Sequence, residues 1–341
     1  MTRTQGGSMK LATLKNGTRD GALLVVNREG THAVKATDIA PTMQAAIEAW
    51  DSVEAPLQTL YAALNAGDAE GSFEIDFNML HSPMPRSYQW IDGSAYLNHI
   101  ELVRRARGAE MPESFLTDPL VYQGGSDRFL APREDIAHSS TSFGIDFEAE
   151  LAVITDDVPY ATTAEKAAGH VKLLMLVNDV SLRALIPPEL AKGFGFFVSK
   201  PPTAFSPFAV TPDELGDSWQ DGKVHLDMEV HYNGEWYGNP NAGPEMQFSF
   251  FELVQHVTQT RPLRAGAIIG SGTVSNKDRS RGSCCLAEKR MIEKIETGEF
   301  ITPFMQFGDT IHIDMKKDGK SVFGTIEQKV VEGAVALDNN G

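Results

Sequence analysis

A chain of 341 residues, 42% of them hydrophobic and 22% charged, can bury one large core or two ordinary ones, which excludes wholesale disorder. Its 46 acidic residues outnumber 30 basic ones, a formal net charge of −16, and such a surface is a poor match for a phosphate backbone. Nucleic acid is excluded as an expected partner, whereas a small anionic ligand needs only a local cationic pocket. The cysteines, Cys284 and Cys285, are adjacent. Disulfide geometry disfavours a bridge between neighbours, and no zinc-cluster spacing occurs, so a cytoplasmic setting is expected. Residues 1–8 lack the apolar stretch of a secretory signal, and Met9 offers an alternative start to Met1. Apolar runs such as 173–177 are too short to span a bilayer, so no membrane partner is expected.

Residues 10–14 and 23–26 read as short strands, with Asn16-Gly17 supplying turn chemistry between them. Residues 42–50 and 57–64 read as helical. Leu57, Leu60, Tyr61 and Leu64 recur at helical spacing, and Gly67 follows as a stop. The breaker cluster His81-Ser82-Pro83-Met84-Pro85 then marks a boundary. This divides the chain into a small α+β domain over 9–80 and a large domain over 86–331.

In the large domain β character dominates, interrupted by helical stretches at 95–107, 164–173 and 250–260. Residues 147–154 alternate, as do 224–232, where Val224, Leu226, Met228, Val230 and Tyr232 share a face before an Asn233-Gly234 hairpin turn. A last hairpin joins 311–315 to 321–330 through Asp318-Gly319. Strand pairs with few helices between them predict a mixed, predominantly β fold. A β-sandwich or roll fits this pattern better than a doubly wound parallel sheet.

Within 147–154, Glu148 and Glu150 point the same way, roughly 7 Å apart along the backbone, while Phe147, Ala149, Leu151 and Val153 fill the opposite face. Two adjacent carboxylates raise each other's pKa unless a cation lies between them; a solvent-facing strand surface is the alternative. Asp179 ends the nearly continuous apolar run 173–177, as a functional side chain or as an Asx turn with Asn178. Ser94 is a plausible helix N-cap, placing Asp92 before a helix and His99 about two turns along it. His99 suits proton transfer near neutral pH, and a surface or core histidine is the alternative. Gly270-Ser271-Gly272-Thr273-Val274-Ser275 offers close backbone approach to a ligand but lacks a P-loop lysine, which sets nucleotide binding aside.

Taken in order, these segments resemble the fumarylacetoacetate hydrolase family. The resemblance rests on Glu148-x-Glu150, on Asn178-Asp179-Val180-Ser181-Leu182-Arg183, on Lys200 ahead of Ser206-Pro207, and on Gly272-Thr273-Val274-Ser275. Asp92 with His99 matches the Asp-x6-His segment of the fumarylacetoacetase subgroup, and Glu288 resembles its late glutamate. The resemblance implies that Asp92, Glu148, Glu150 and Asp179 hold one Mg²⁺ or Ca²⁺ per subunit. It implies that His99 and Glu288 activate water, that Arg183 and Lys200 bind substrate and stabilise negative charge, and that Thr273 contacts a substrate carboxylate.

Departures from the family pattern are Ile186 for a Gln, Leu190 for a Tyr, and Ser94 for a substrate-contacting Tyr, with Tyr96 as a compensating substrate contact. The implied reaction is cleavage of 4-fumarylacetoacetate to fumarate and acetoacetate in tyrosine degradation, by a homodimer. Acylpyruvate or fumarylpyruvate hydrolysis, hydratase, decarboxylase or isomerase chemistry is the alternative within the family. A non-catalytic metal-stabilised binding protein is the alternative outside it. Arg104, Arg105 and Arg107 read as a solvent-facing basic helix surface, with substrate contact as the other reading.

Overall fold

A computed structural model describes residues 7–105 and 110–334. The fold is mixed and predominantly β. A large sheet runs in the order Phe73–Glu74, His32–Lys35, Ala22–Val26, Lys10–Leu14, Phe208–Val210, Val171–Asn178, Ala149–Thr155, Ile268–Gly270, Trp90–Gly93, Val121–Gly124, with Ala204–Phe205 also paired to Val171–Asn178. Strands of the first eighty residues therefore continue the sheet of the rest of the chain: Lys10 pairs with Val210 and Ala12 with Phe208. A second sheet orders Glu235–Gly238, Met228–Tyr232, Thr310–Lys317, Ile326–Glu332 and Ile136–His138.

Alternation along the central strands feeds two cores. Ala149, Leu151, Val153, Leu174 and Leu176 join Met228, Val230, Ile311 and Ile313 of the second sheet in one cluster. The opposite parity, Ala152, Ile154, Leu173, Met175 and Val177, packs with Trp50, Val53, Leu57, Tyr61 and Leu64 of the helix Trp50–Ala66. A helical layer, the large sheet and the second sheet thus form three layers. The two central strands are buried on both faces, which is why they read as apolar almost throughout.

Several elements differ from their sequence expectations. Residues 42–50 form one short helix, Met43–Glu48, capped by Thr42, whose side chain accepts from Ala45 N–H. A second helix starts at Trp50 and ends at Gly67 in the left-handed region. The helix expected over 164–173 is a single turn, Ala164–Ala167, because Val171 already opens a central strand. The alternating run 224–232 is split into Lys223–Val224 and Met228–Tyr232. Its apolar side chains still reach the main core, Leu226 and Tyr232 only partly buried, so period two survived a bend that it cannot report.

The Asn233-Gly234 and Asp318-Gly319 turns have positive φ at both residues, the twist a two-residue hairpin needs. The helix expected over 95–107 runs Leu97–Arg105 among the described residues, with its last two expected positions outside them. No described helix is long and apolar enough to cross a membrane.

Candidate active site

The Trp90–Gly93 and Ile268–Gly270 strands run parallel with Asp92 opposite Gly270, and Gly270 faces Ala152 of the Ala149–Thr155 strand on its other side. Asp92 and Glu150 share the strand parity of Trp90, Ala152 and Ile268 and so leave the sheet on the same face. Across an intervening strand they meet only because position 270 has no side chain. Asp179 follows the end of Val171–Asn178, the neighbour of the Glu150 strand.

One oxygen from each of Asp92, Glu150 and Asp179 lies within 4.8 Å of the others. All three are buried, Glu150 to 1% exposure, so the solvent-facing reading of the Glu148-x-Glu150 strand does not hold. Oε2 of Glu150 is buried without a hydrogen-bond partner, an arrangement that is costly for a charged oxygen. Burial first, then the charges of Asp179 and Glu148, push Asp92 well above the usual carboxylate range. Burial, then Asp92 and Asp179, do the same to Glu150. A buried, all-oxygen, electron-rich trio with an orphaned carboxylate oxygen fits a hard divalent cation.

Glu148, the fourth expected ligand, stands outside this trio. Its Oε1 accepts from Arg183 at 2.7 Å and its Oε2 from Lys200 at 2.7 Å and from Ser181 Oγ at 3.2 Å. Burial alone would raise it, but Arg183 and Lys200 outweigh burial and hold the carboxyl below its ordinary range. Lys200 also reaches Asp179 Oδ2 at 2.6 Å. Arg183 reaches Asp146 Oδ2 at 2.8 Å. Both basic residues expected at the site are thus there, each bound between two carboxylates.

His99 is the third residue of Leu97–Arg105 rather than two turns along it, and Ser94 lies too far upstream to cap that helix. Asp92 does precede that helix, on the strand Trp90–Gly93. His99 Nδ1 lies 3.1 Å from Glu288 Oε2, the other oxygen of which is buried without a partner. With Nδ1–H donated to Glu288, Nε2 carries the lone pair. Asn98 ties the same helix to the 272–275 loop, donating to Ser275 Oγ at 2.7 Å. Thr273 Oγ1 lies 3.4 Å from Glu150 Oε1 and so stands at the trio.

Tyr96 is placed elsewhere. Its hydroxyl donates to the Ala242 carbonyl at 2.7 Å inside the main core, which makes it a structural residue rather than a substrate contact. Arg105 is exposed and faces Glu101 at 3.8 Å, while Arg107 and the side chain of Arg104 lie outside the described residues.

Three contributors were not read from the sequence. Tyr122 pairs with Asp92 across adjacent strands and donates to Asp179 Oδ2 at 2.5 Å; no local pattern announces it. Thr203 donates to Asp179 Oδ1 at 2.8 Å. Asp146 continues the alternation of Glu148 and Glu150 by one step, a signal that was available. A cavity of about 590 Å³ lined by Tyr122, Gln123, Glu189, Lys192 and Phe196 adjoins the cluster through Tyr122. A larger one, about 1010 Å³, is lined by Lys15, Arg19, Arg86 and Tyr88 and contains none of the candidate residues; the chemistry points to the smaller.

Residues 89–331 match the family model described as the fumarylacetoacetate (FAA) hydrolase C-terminal domain, and residues 9–86 match fumarylacetoacetase N-terminal domain 2. The chain is 29% identical over 218 residues to oxaloacetate tautomerase YisK of Bacillus subtilis (strain 168), covering 62% of this chain and 68% of that protein. It shares its fold with the fumarylacetoacetate hydrolase of the psychrophile Exiguobacterium antarcticum, over 95% of this chain and 100% of that one, with TM-score 0.67 and 19% identity. It does so equally with a probable 2-hydroxyhepta-2,4-diene-1,7-dioate isomerase from Mycobacterium abscessus, over 96% and 100%, with TM-score 0.66 and 19% identity. Matched by these models from residue 9 to residue 331, the chain belongs to the fumarylacetoacetate hydrolase family.

Proposed function

We propose that this chain is a cytoplasmic, divalent-metal-dependent hydrolase that cleaves a carbon–carbon bond in a small anionic 1,3-diketo acid. The substrate to test first is 4-fumarylacetoacetate, giving fumarate and acetoacetate. The observation that carries this reading is the His99 Nδ1–Glu288 contact of 3.1 Å at the edge of a buried carboxylate trio. A metal site serving only stability has no need of a base held by a buried acid.

Asp92, Glu150 and Asp179 are the residues that would hold Mg²⁺ or Ca²⁺. Glu148 would join them by exchanging its contact with Lys200 for the cation. Bound there, the ion supplies Lewis-acid polarisation of the diketone oxygens. His99 Nε2 takes a proton from water as the oxygen adds to the carbonyl carbon, and Glu288 steadies the resulting imidazolium. Lys200 and Arg183 are fixed cations for the oxyanion that develops, Arg183 held by Asp146 and Lys200 by Asp179 and Ser181 before substrate arrives. Collapse breaks the C–C bond, its electron pair stays with the departing carbon, and the proton on His99 is returned to that carbon.

A second reading has one observation in its favour, the likeness to an oxaloacetate tautomerase over most of that protein's length. The same histidine would then shuttle a proton between carbon and oxygen of a 2-oxo acid without adding water. Incubation with fumarylacetoacetate and with oxaloacetate in ¹⁸O-labelled water, with Mg²⁺ present, separates the two. Cleavage with one ¹⁸O in the fumarate carboxylate supports hydrolysis. Accelerated enol–keto exchange of oxaloacetate with no cleavage of any diketo acid would replace it by tautomerisation. Cation binding with neither reaction would leave a metal-stabilised binding protein. We further propose a homodimer; a monomeric mass by light scattering at micromolar concentration would rule that out.

A further inference from the structure

Asp146 is buried to 0% side-chain exposure, and its contacts extend beyond the Arg183 that it holds. It lies on the two-residue strand Ile145–Asp146, paired with Ser181–Leu182, two residues before Glu148 and opposite Ser181. Its Oδ1 accepts from Leu286 N–H at 2.8 Å. Its Oδ2 accepts from Ala287 N–H at 2.9 Å and from Arg183 Nε at 2.8 Å. Leu286 and Ala287 are the first two residues of the helix Leu286–Thr297, and Glu288 is the third.

The first N–H groups of a helix have no partner within it and carry the positive end of its dipole, so a buried carboxylate there seats the helix. That carboxylate is shared with Arg183, whose other end grips Glu148. The acid that holds His99 and the cation beside the trio are therefore set by one side chain. We propose that Asp146 is a positioning residue that fixes Glu288, and through it His99, in register with Arg183 and Glu148. This rests on His99–Glu288 being the proton-transfer pair. It goes beyond that reading by naming the residue that aligns the pair.

Asp146→Asn keeps the shape but offers only one accepting oxygen to three N–H donors. In the metal-loaded enzyme kcat should fall about 10- to 100-fold with KM little changed, a size typical of residues that orient a ligand or base. The double variant Asp146→Asn with Glu288→Gln should lose less than the two single losses combined, because Asp146 acts in part through Glu288 and His99. Additive losses would overturn the proposal. The ring ¹⁵N signals of His99, assigned from their loss in His99→Gln, should shift in Asp146→Asn with or without substrate. That readout survives even if the wild-type protein turns over no diketo acid, so failure of the functional reading stays separate from failure of this one; unmoved signals would overturn it. Should Asp146→Asn not fold, Arg183→Lys removes the Nε donor. The amide signals of Leu286 and Ala287 should then move, and unmoved amides would overturn the shared clamp.

Discussion

Asp92 occupies space that only a glycine at position 270 leaves open: a Cβ added to Gly270 would stand 2.3 Å from Oδ1 of Asp92 and 2.4 Å from the Trp90 ring. The backbone N–H of Gly272 also donates to Asp92 Oδ1 at 3.1 Å. Gly270→Ala should therefore force Asp92 away from Glu150. We expect a stability loss of about 1–3 kcal/mol from overpacking and Mg²⁺ binding weakened by roughly tenfold or more. A thermal-shift titration with Mg²⁺ measures both. An unchanged Mg²⁺ midpoint would mean that the trio does not depend on this gap.

His99→Gln should leave Mg²⁺ binding as it is, since the ring lies outside the trio of oxygen donors. Turnover should fall by about 10²–10⁴, the usual contribution of a positioned base. Steady-state kinetics and a parallel metal titration check this. Equal loss of both would make His99 part of the metal site instead.

The glutamates were legible because strand parity is local: Glu148 and Glu150 had to share a face, and Asp179 had to end an apolar strand. Their separation into one acid of the buried trio and one cation-paired acid was not, because Arg183 and Lys200 reach Glu148 through a loop whose path has no periodicity. Asp146 shares that parity and was open to the same reading, but its hold on the backbone of Leu286 and Ala287, 140 and 141 residues away in the chain, was not. Tyr96 misled in another way. An aromatic hydroxyl next to a site motif can point to substrate or to a core carbonyl, and only packing decides between them. Residues 164–173 looked helical because a buried strand and a helix can share an apolar pattern over a short run.

Proton and cation should compete for Asp92 and Glu150. Burial and neighbouring carboxylates raise both in the metal-free protein, so the folded state binds these protons more tightly than the unfolded chain. Their stabilising contribution is thus present at low pH and lost as pH rises through the folded-state values. A divalent cation must displace the protons, and it relieves the repulsion that ionisation leaves. The rise in Tm caused by Mg²⁺ should accordingly be small near pH 5 and grow toward about pH 8. Melting curves at fixed Mg²⁺ across that range test it, and a gain independent of pH would place the ion elsewhere.

Lys200 bridges two buried carboxylates of the site, Glu148 and Asp179. Burial would lower its pKa, but Asp179 and Glu148 outweigh that and keep it charged. Its ammonium group also donates to Ser181 Oγ at 2.8 Å and lies 5.1 Å from the centre of the Tyr122 ring. Lys200→Met fills much of the same volume while leaving Glu148 and Asp179 without their shared cation. Breaking one side of a buried ion pair typically destabilises by about 3–5 kcal/mol. Mg²⁺ should recover part of this loss, since Asp179 is a candidate ligand and Glu148 would be released to become one. Turnover should not recover with it, because the oxyanion would still lack its fixed cation. Chemical denaturation with and without Mg²⁺, alongside kcat, separates these effects. Full recovery of activity by metal would reduce Lys200 to a counter-charge for the two acids and remove it from the chemistry.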